Sequence, residues 1–257
     1  MPPTVAACQL AVDDLAPDAN LAAVESRLRG LPEAVDVAVF PEYALTGFVP
    51  EGRVADAALP LDGDRIDRLG DLAAAEDTAL VVGFVETDGD DLHNTTAYLA
   101  PDGDVTTYRK RHLRGREAEV LTAGDDLVTV DTPAGTAGIL TCYDLNFVRD
   151  SADLVDRGTD ALFVGGAWPA AYSENWRLLL RARALDGVRW VVGAGRTGRR
   201  ENVGSEDGAD AVAYAGRSLV VRPDGGIHAA LDRREDDLVA ELDPDTLAAH
   251  REFVGSV

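Results

Sequence analysis

A chain of 257 residues with 46% hydrophobic and 27% charged residues has the make-up of an ordered globular protein long enough to bury a sizeable core, which excludes a disordered chain. Its formal net charge of −22 sets it against nucleic acid and anionic membrane surfaces, both of which repel such a field. No run approaches the roughly 20 apolar residues that span a bilayer, and Met1-Pro2-Pro3-Thr4-Val5 puts no basic region ahead of an apolar run, so no signal peptide is expected and the expected location is cytoplasmic.

In chain order, apolar runs at 4–10, 36–40 and 79–85 read as strands, with helical spacing between them at 18–30 and 64–77. Strands follow at 94–100 and 105–109, joined by the hairpin turn Pro101-Asp102-Gly103-Asp104. Beyond them, runs at 127–131, 136–141 and 160–164 read as strands, with a helix at 147–158 and another at 173–188. Strands at 190–195, 217–222 and 237–241 and a short helix near 244–252 complete the chain. The alternation implies α/β layering, and a hairpin among helical crossovers predicts mixed rather than purely parallel sheets. The acidic, glycine-containing stretch 198–210 reads as a long surface loop. With no linker, low-complexity tract or internal repeat, residues 1–257 read as one domain.

Three residue types stand directly after strands. Val37-Ala38-Val39-Phe40 is ended by Pro41, leaving Glu42 where the chain quits the sheet; it is either a solvated loop charge or a carboxylate at the ligand-binding edge of an α/β sheet. Lys110 follows the strand 105–109 and is the only lysine beside twenty-three arginines, so a compact ammonium is used once in a chain that otherwise carries guanidinium. Cys142 follows the strand 136–141 ahead of a helix, whose N-terminal partial charge favours thiolate over thiol. Cys8, inside an apolar strand, reads as a core thiol. The two cysteines lack a Cys-x-x-Cys spacing, which gives neither a disulfide framework nor a zinc site. Acidic excess with arginine in place of lysine also suits a protein adapted to molar salt, where a Debye length of about 3 Å screens self-repulsion.

These segments resemble the nitrilase superfamily of carbon–nitrogen hydrolases. Phe40-Pro41-Glu42-Tyr43-Ala44-Leu45-Thr46-Gly47 is similar to its glutamate segment, Tyr108-Arg109-Lys110-Arg111-His112-Leu113 to its lysine segment, and Thr141-Cys142-Tyr143-Asp144-Leu145-Asn146-Phe147 to its cysteine elbow. His93-Asn94-Thr95, Gly165-Gly166-Ala167-Trp168-Pro169, Trp176 to Ala184, and Ala215-Gly216-Arg217-Ser218 leading into Pro223-Asp224-Gly225 occur in the family's order, so the likeness runs from Val5 to about Asp243. The resemblance implies a four-layer α/β/β/α sandwich, no cofactor and no metal, and a homodimer or larger homo-oligomer. It implies a small-molecule amide or nitrile substrate, with no nucleic-acid or membrane partner. Cys142 would be the nucleophile, Glu42 the general base and acid, and Lys110 the oxyanion stabiliser, helped by the backbone N–H of Tyr143. A second glutamate follows the lysine in some members; here Glu117 or Glu119 fills that place, and alignment on Thr122-Ala123-Gly124-Asp125 favours Glu117. Tyr43, Tyr143 and Trp168 are expected near the substrate. His112 is expected to brace its loop, and Asp144 to cap the following helix or fix the elbow.

Asn146-Phe147-Val148-Arg149 departs from the family, in which an arginine often follows the elbow at the place of Asn146. That departure argues against the branch cleaving amides of dicarboxylic acids. Amide hydrolysis, nitrile hydrolysis and N-carbamoyl cleavage share the same machinery, and the resemblance favours the amide. Two readings of other classes remain. Gly193-Ala194-Gly195-Arg196-Thr197-Gly198 matches the dinucleotide-binding pattern of an oxidoreductase, although no apolar helix follows it. A catalytically silent binding member of the family is the other.

Overall fold

The computed structural model describes residues 1–49, 53–200 and 211–255; from residue 201 on, the surface loop expected over 198–210 lies outside them. The first half of the chain forms β1 (Thr4–Gln9), α1 (Pro17–Gly30), β2 (Val37–Val39), α2 (Val54–Ala57), α3 (Asp64–Glu76), β3 (Ala79–Asp88), β4 (Asp91–Leu99), β5 (Val105–Arg109) and α4 (Glu117–Val120). The second half forms β6 (Thr129–Thr132), β7 (Gly135–Thr141), α5 (Val148–Asp156), β8 (Ala161–Gly166), α6 (Ser173–Gly187), β9 (Trp190–Gly195), β10 (Arg199–Arg200), β11 (Val212–Ala213), β12 (Leu219–Val221), β13 (Ile227–Ala230), β14 (Asp236–Glu241) and α7 (Pro244–Val254). Short 3-10 turns at Cys142–Asn146 and Ala170–Tyr172 follow β7 and β8.

Two six-stranded sheets result, in the orders β14-β1-β2-β3-β4-β5 and β13-β12-β9-β8-β7-β6. Each is mixed, as the hairpin among crossovers predicts. β1, β2 and β3 run parallel, whereas β3-β4-β5 is an antiparallel meander. In the second sheet β7, β8 and β9 run parallel, flanked by antiparallel β6 and β12. Two reversals return β5 to the direction of β3, so its carboxyl end emerges on the same edge as that of β2. That geometry places Lys110 beside Glu42.

Side-chain alternation along the strands builds the layers. Val5 and Ala7 of β1 pack in one cluster with Ile139, Phe163 and Val191 of the second sheet. Ala6 and Cys8, one residue out of phase, pack instead with Leu21 and Val24 of α1 and Leu69 and Leu72 of α3. Cys8 is fully buried there, as expected of a core thiol. On the other outer face α6 packs on β9 and β12 through Trp176, Leu180 and Ala184. The product is an α/β/β/α sandwich in which burying each large aliphatic side chain contributes about 1.5–3 kcal/mol. α7 begins where Asp243 accepts the Asp245 N–H at 3.0 Å with Pro244 in the first turn. Among the described residues no helix is long and apolar enough to cross a membrane.

Candidate active site

Glu42 lies in a tight turn between the two sheets, and two glycines make the room. A Cβ on Gly83 of β3 would come 2.8 Å from Tyr43 N and 2.9 Å from Pro41 O. One on Gly165 of β8 would come 2.9 Å from Glu42 N and 3.0 Å from Phe40 O. Without either side chain the turn fits against both sheets, with Tyr43 in the left-handed region at φ 59°. The Glu42 carboxylate is almost fully buried. Its Oε1 accepts from Lys110 Nζ at 2.8 Å and Asn94 Nδ2 at 2.9 Å, and its Oε2 accepts from the Ala167 N–H at 3.0 Å.

Lys110 leaves β5 with its backbone still paired: its N–H donates to Asn94 O at 2.8 Å, and its carbonyl accepts from Gly124 N at 2.9 Å. Its ammonium donates to Glu42 Oε1 at 2.8 Å and to both oxygens of Glu117 at 2.9 Å. Three N–H bonds thus meet three carboxylate oxygens. Burial alone would depress this ammonium, but the Glu42 and Glu117 charges outweigh it and hold the pKa well above the ordinary lysine value. Glu117 opens α4 and is buried, whereas Glu119 is exposed. The Tyr43 hydroxyl, Asn94 Nδ2 at 2.8 Å and the Arg114 N–H at 3.2 Å also donate to Glu117. Burial pushes the Glu117 carboxyl up, yet Lys110 and these donors take it below the usual carboxylate value.

Cys142 stands on a sharp turn at the end of β7, at φ 50°, a conformation that side-chain-bearing residues seldom adopt. A reciprocal cap holds the turn: Thr141 N donates to Asp144 Oδ2 at 3.1 Å, while the Thr141 hydroxyl accepts the Asp144 N–H. Asp144 is fully buried and also accepts from the Tyr108 hydroxyl at 2.7 Å and the His112 N–H at 3.0 Å. One carboxylate therefore ties the elbow to residues two before and two after Lys110. Burial raises its pKa to about 6 against the pull of Lys110 and its donors. The expectation that the turn favours thiolate is reversed. Burial, and then the adjacent Glu42 carboxylate, push the Cys142 thiol well above its ordinary value, overcoming Lys110 and the Ala167 N–H. The turn is a short 3-10 segment rather than the start of a long helix, so its dipole is small.

Glu42, Lys110, Glu117 and Cys142 line one cavity of about 340 Å³, with Tyr43, Tyr143 and Trp168 in its wall. These seven residues singled out in the sequence are brought to this place, whereas Glu119, the alternative to Glu117, is not among the lining residues. His112 braces its loop by a 2.8 Å contact with Asp150 Oδ2 and by stacking on Phe147 at 3.4 Å. Sequence reasoning missed Asn94, whose one amide nitrogen bridges both glutamates, and the Ala167 N–H. Each sits in a stretch singled out as family-like, but the residue types carry no mark of that role. It also missed Phe48, Tyr214, Arg114 and Arg200 in the cavity wall. His112, Asp144 and Asp150 bring potential ligand atoms within 4.8 Å of one another. Asp144 already accepts three hydrogen bonds there, and Asp150 contacts Arg111 and His112. At Gly193–Gly198 the chain leaves β9 for the short β10, and among the described residues no helix opens at these glycines to receive a pyrophosphate.

The family model for carbon–nitrogen hydrolases matches residues 4–252. An (R)-stereoselective amidase of a Pseudomonas species is 32% identical over 216 residues, covering 84% of this chain and 76% of that protein. The omega-amidase YafV of Escherichia coli (strain K12) is 34% identical over 240 residues, covering 91% and 86%. Among solved structures, Saccharomyces cerevisiae Nit3, described as a member of branch 10 of the nitrilase superfamily, superposes with a TM-score of 0.85. It is 27% identical, over 98% of this chain and 94% of that one.

Proposed function

The chain belongs to the carbon–nitrogen hydrolase family, and on that premise we propose that it cleaves a small-molecule amide through a thioester on Cys142. The observation that carries the proposal is the buried ammonium of Lys110 held by Glu42 and Glu117, in one cavity with the Cys142 thiol. The amidase names of two relatives favour an amide over a nitrile or N-carbamoyl compound.

Cys142 is protonated at rest, so the reaction begins with proton transfer. Glu42 takes the thiol proton as sulfur attacks the carbonyl carbon, and the C=O electron pair moves to oxygen. Lys110 and the Tyr143 N–H, in the first turn of the elbow, face that oxyanion. The timing follows from the ion pairs: once Glu42 is neutral it attracts the ammonium less, and one Lys110 N–H turns to the new charge. Glu117 keeps the ammonium in place meanwhile. Collapse breaks the C–N bond, and Glu42 protonates the leaving ammonia or amine. Water then adds to the thioester as Glu42 takes its proton; the C–S bond breaks and Glu42 returns a proton to sulfur, releasing a carboxylic acid.

The catalytic groups come from both sheets, which supports residues 1–257 acting as one domain. Self-association is part of the proposal and is supported by exposed Leu178 and Leu185, seven residues apart on α6. So is a high-salt working environment, supported by the charge of −22.

The test is a panel of amides, nitriles and N-carbamoyl compounds assayed for ammonia release at high salt, with Lys110→Arg beside the parent. Amides are expected to be turned over, and the variant to stay folded while losing about 10²–10³ in turnover, as for loss of an oxyanion donor. Near-parental turnover in Lys110→Arg would remove Lys110 from the mechanism.

A further inference from the structure

The two buried glutamates differ in what their oxygens have left to offer. Glu42 Oε1 accepts from Lys110 Nζ at 2.8 Å and from Asn94 Nδ2 at 2.9 Å. Glu117 Oε1 accepts from the same two nitrogens, at 2.9 and 2.8 Å, and from the Tyr43 hydroxyl. Glu117 Oε2 accepts from Lys110 Nζ at 2.9 Å and from the Arg114 N–H at 3.2 Å. A carboxylate oxygen offers about two lone-pair sites, so these three oxygens are filled. Among the described residues, Glu42 Oε2 has one nitrogen donor, the Ala167 N–H at 3.0 Å. Its other site is left for the Cys142 thiol, which is hydrogen-bonded to this carboxylate. Asn94 is buried and stands outside the cavity wall. Its backbone carbonyl accepts the Lys110 N–H at 2.8 Å, so the pairing of β4 with β5 sets its amide beside the ammonium. Its Oδ1 is buried with no partner among the described residues. Turning the amide over would face that oxygen to two carboxylate oxygens, so Nδ2 is fixed as the bridging atom. A buried acceptor left unpaired costs stability, and here it is the far end of an amide whose near end serves the site.

We propose that Asn94 is a positioning residue for proton transfer: with Lys110 it occupies Glu42 Oε1, so that Oε2 alone carries the proton between sulfur, leaving nitrogen and water. The proposal rests on the hydrolase reading and names the oxygen through which Glu42 works. As sulfur bonds to the carbonyl carbon, the S–H bond breaks and an Oε2–H bond forms; that proton passes to nitrogen as the C–N bond breaks. Water then gives a proton to Oε2 as its oxygen bonds to the acyl carbon, and the proton returns to sulfur as the C–S bond breaks. Asn94 matters most between these transfers. When Glu42 is neutral and one Lys110 N–H turns to the oxyanion, Nδ2 is the donor still holding Oε1. Without it the neutral carboxyl is free to rotate and carry its proton away from the reacting atoms. The same nitrogen holds Glu117 Oε1, so both carboxylates keep their places as the ammonium moves. An amide suits the task because it donates twice and brings no charge. A second cation there would stabilise the Glu42 carboxylate and oppose its taking a proton.

Asn94→Leu, close in size and without a donor, tests this beside Asn94→Ser and the parent, with folding followed by thermal melts. On an amide that the parent cleaves, kcat is expected to fall at least about tenfold in both variants, as for loss of a hydrogen bond to a charged group. KM should stay within about twofold, since Asn94 does not line the cavity. Parental kcat in the folded variants, or a loss confined to KM, would overturn the role and leave the hydrolase standing. A second measurement needs no turnover: alkylation of Cys142 by iodoacetamide at neutral pH, where the protonated thiol must pass its proton to Glu42. Its rate should drop at least about fivefold in both variants, whereas a merely loosened fold would open the cavity and speed it. Slowed alkylation supports the role even if no amide is cleaved; a parental or faster rate overturns it. Should Asn94→Leu not fold, Asn94→Ser decides by the same two readouts.

Discussion

Lys110 has no hydrogen to spare in the resting site, since its three N–H bonds face three carboxylate oxygens. An arginine there would lay a rigid fork across an arrangement fitted to a point charge. The same carboxylates decide the state of the nucleophile. With the Cys142 pKa raised above the ordinary thiol value of 9.0, the protonated form prevails at neutral pH, and thiolate gathers only as pH rises through the elevated value. The difference spectrum between the parent and Cys142→Ala should therefore show no thiolate absorbance near 240 nm at any pH up to 9. A band already present at pH 7 would mean a preformed ion pair rather than proton transfer to Glu42. At this scale the sequence reveals residues whose chemistry is unusual for their place: a carboxylate, a lone ammonium and a thiol, each after a strand. It left Glu117 and Glu119 as alternatives because only burial separates them, and burial depends on which side of the short α4 meets Lys110.

The elements that carry these groups are fastened to one another by buried polar contacts. The residues around Lys110 are held in turn: Arg109 by Glu86 and Asp88, Arg111 and His112 by Asp150, and the His112 backbone by Asp144. Asp144 also grips the elbow, and every partner of its carboxylate is a donor. Asp144→Asn would turn an amide N–H₂ toward one of them, at an expected loss of about 1–3 kcal/mol in denaturant unfolding. An unchanged midpoint would show that the three contacts contribute nothing. Gly165 acts through shape. In Gly165→Ala the new methyl would press on the backbone of Phe40–Glu42, so stability should fall by about 1–3 kcal/mol and turnover should fall further than the folded fraction does. Turnover that tracks the folded fraction would show that Glu42 had not moved. Strands such as 105–109 and 190–195 were legible because most of their residues are apolar, β-branched or aromatic. α4, β10, β11 and β13 were not, because two to four residues hold no period to read.

Across the whole molecule, the two sheets share one core while the chemistry gathers along their common edge. α/β layering with mixed sheets followed from alternating strands and helices, and the four-layer sandwich from the family resemblance; the pattern alone did not give the meeting of Glu42 with Cys142, since nothing local encodes how one sheet lies on the other. Charge acts at this scale too. A net −22 repels itself in dilute buffer and is screened in molar KCl, so Tm should rise by at least about 3 °C between the two. An unchanged Tm would remove salt adaptation from the account. The central claim is covalent catalysis by one sulfur, and ammonia release from a cleaved amide by folded Cys142→Ala, measured beside the parent, tests it most directly. The account predicts a rate at the uncatalysed background with the melting curve intact; release near the parental rate would contradict it.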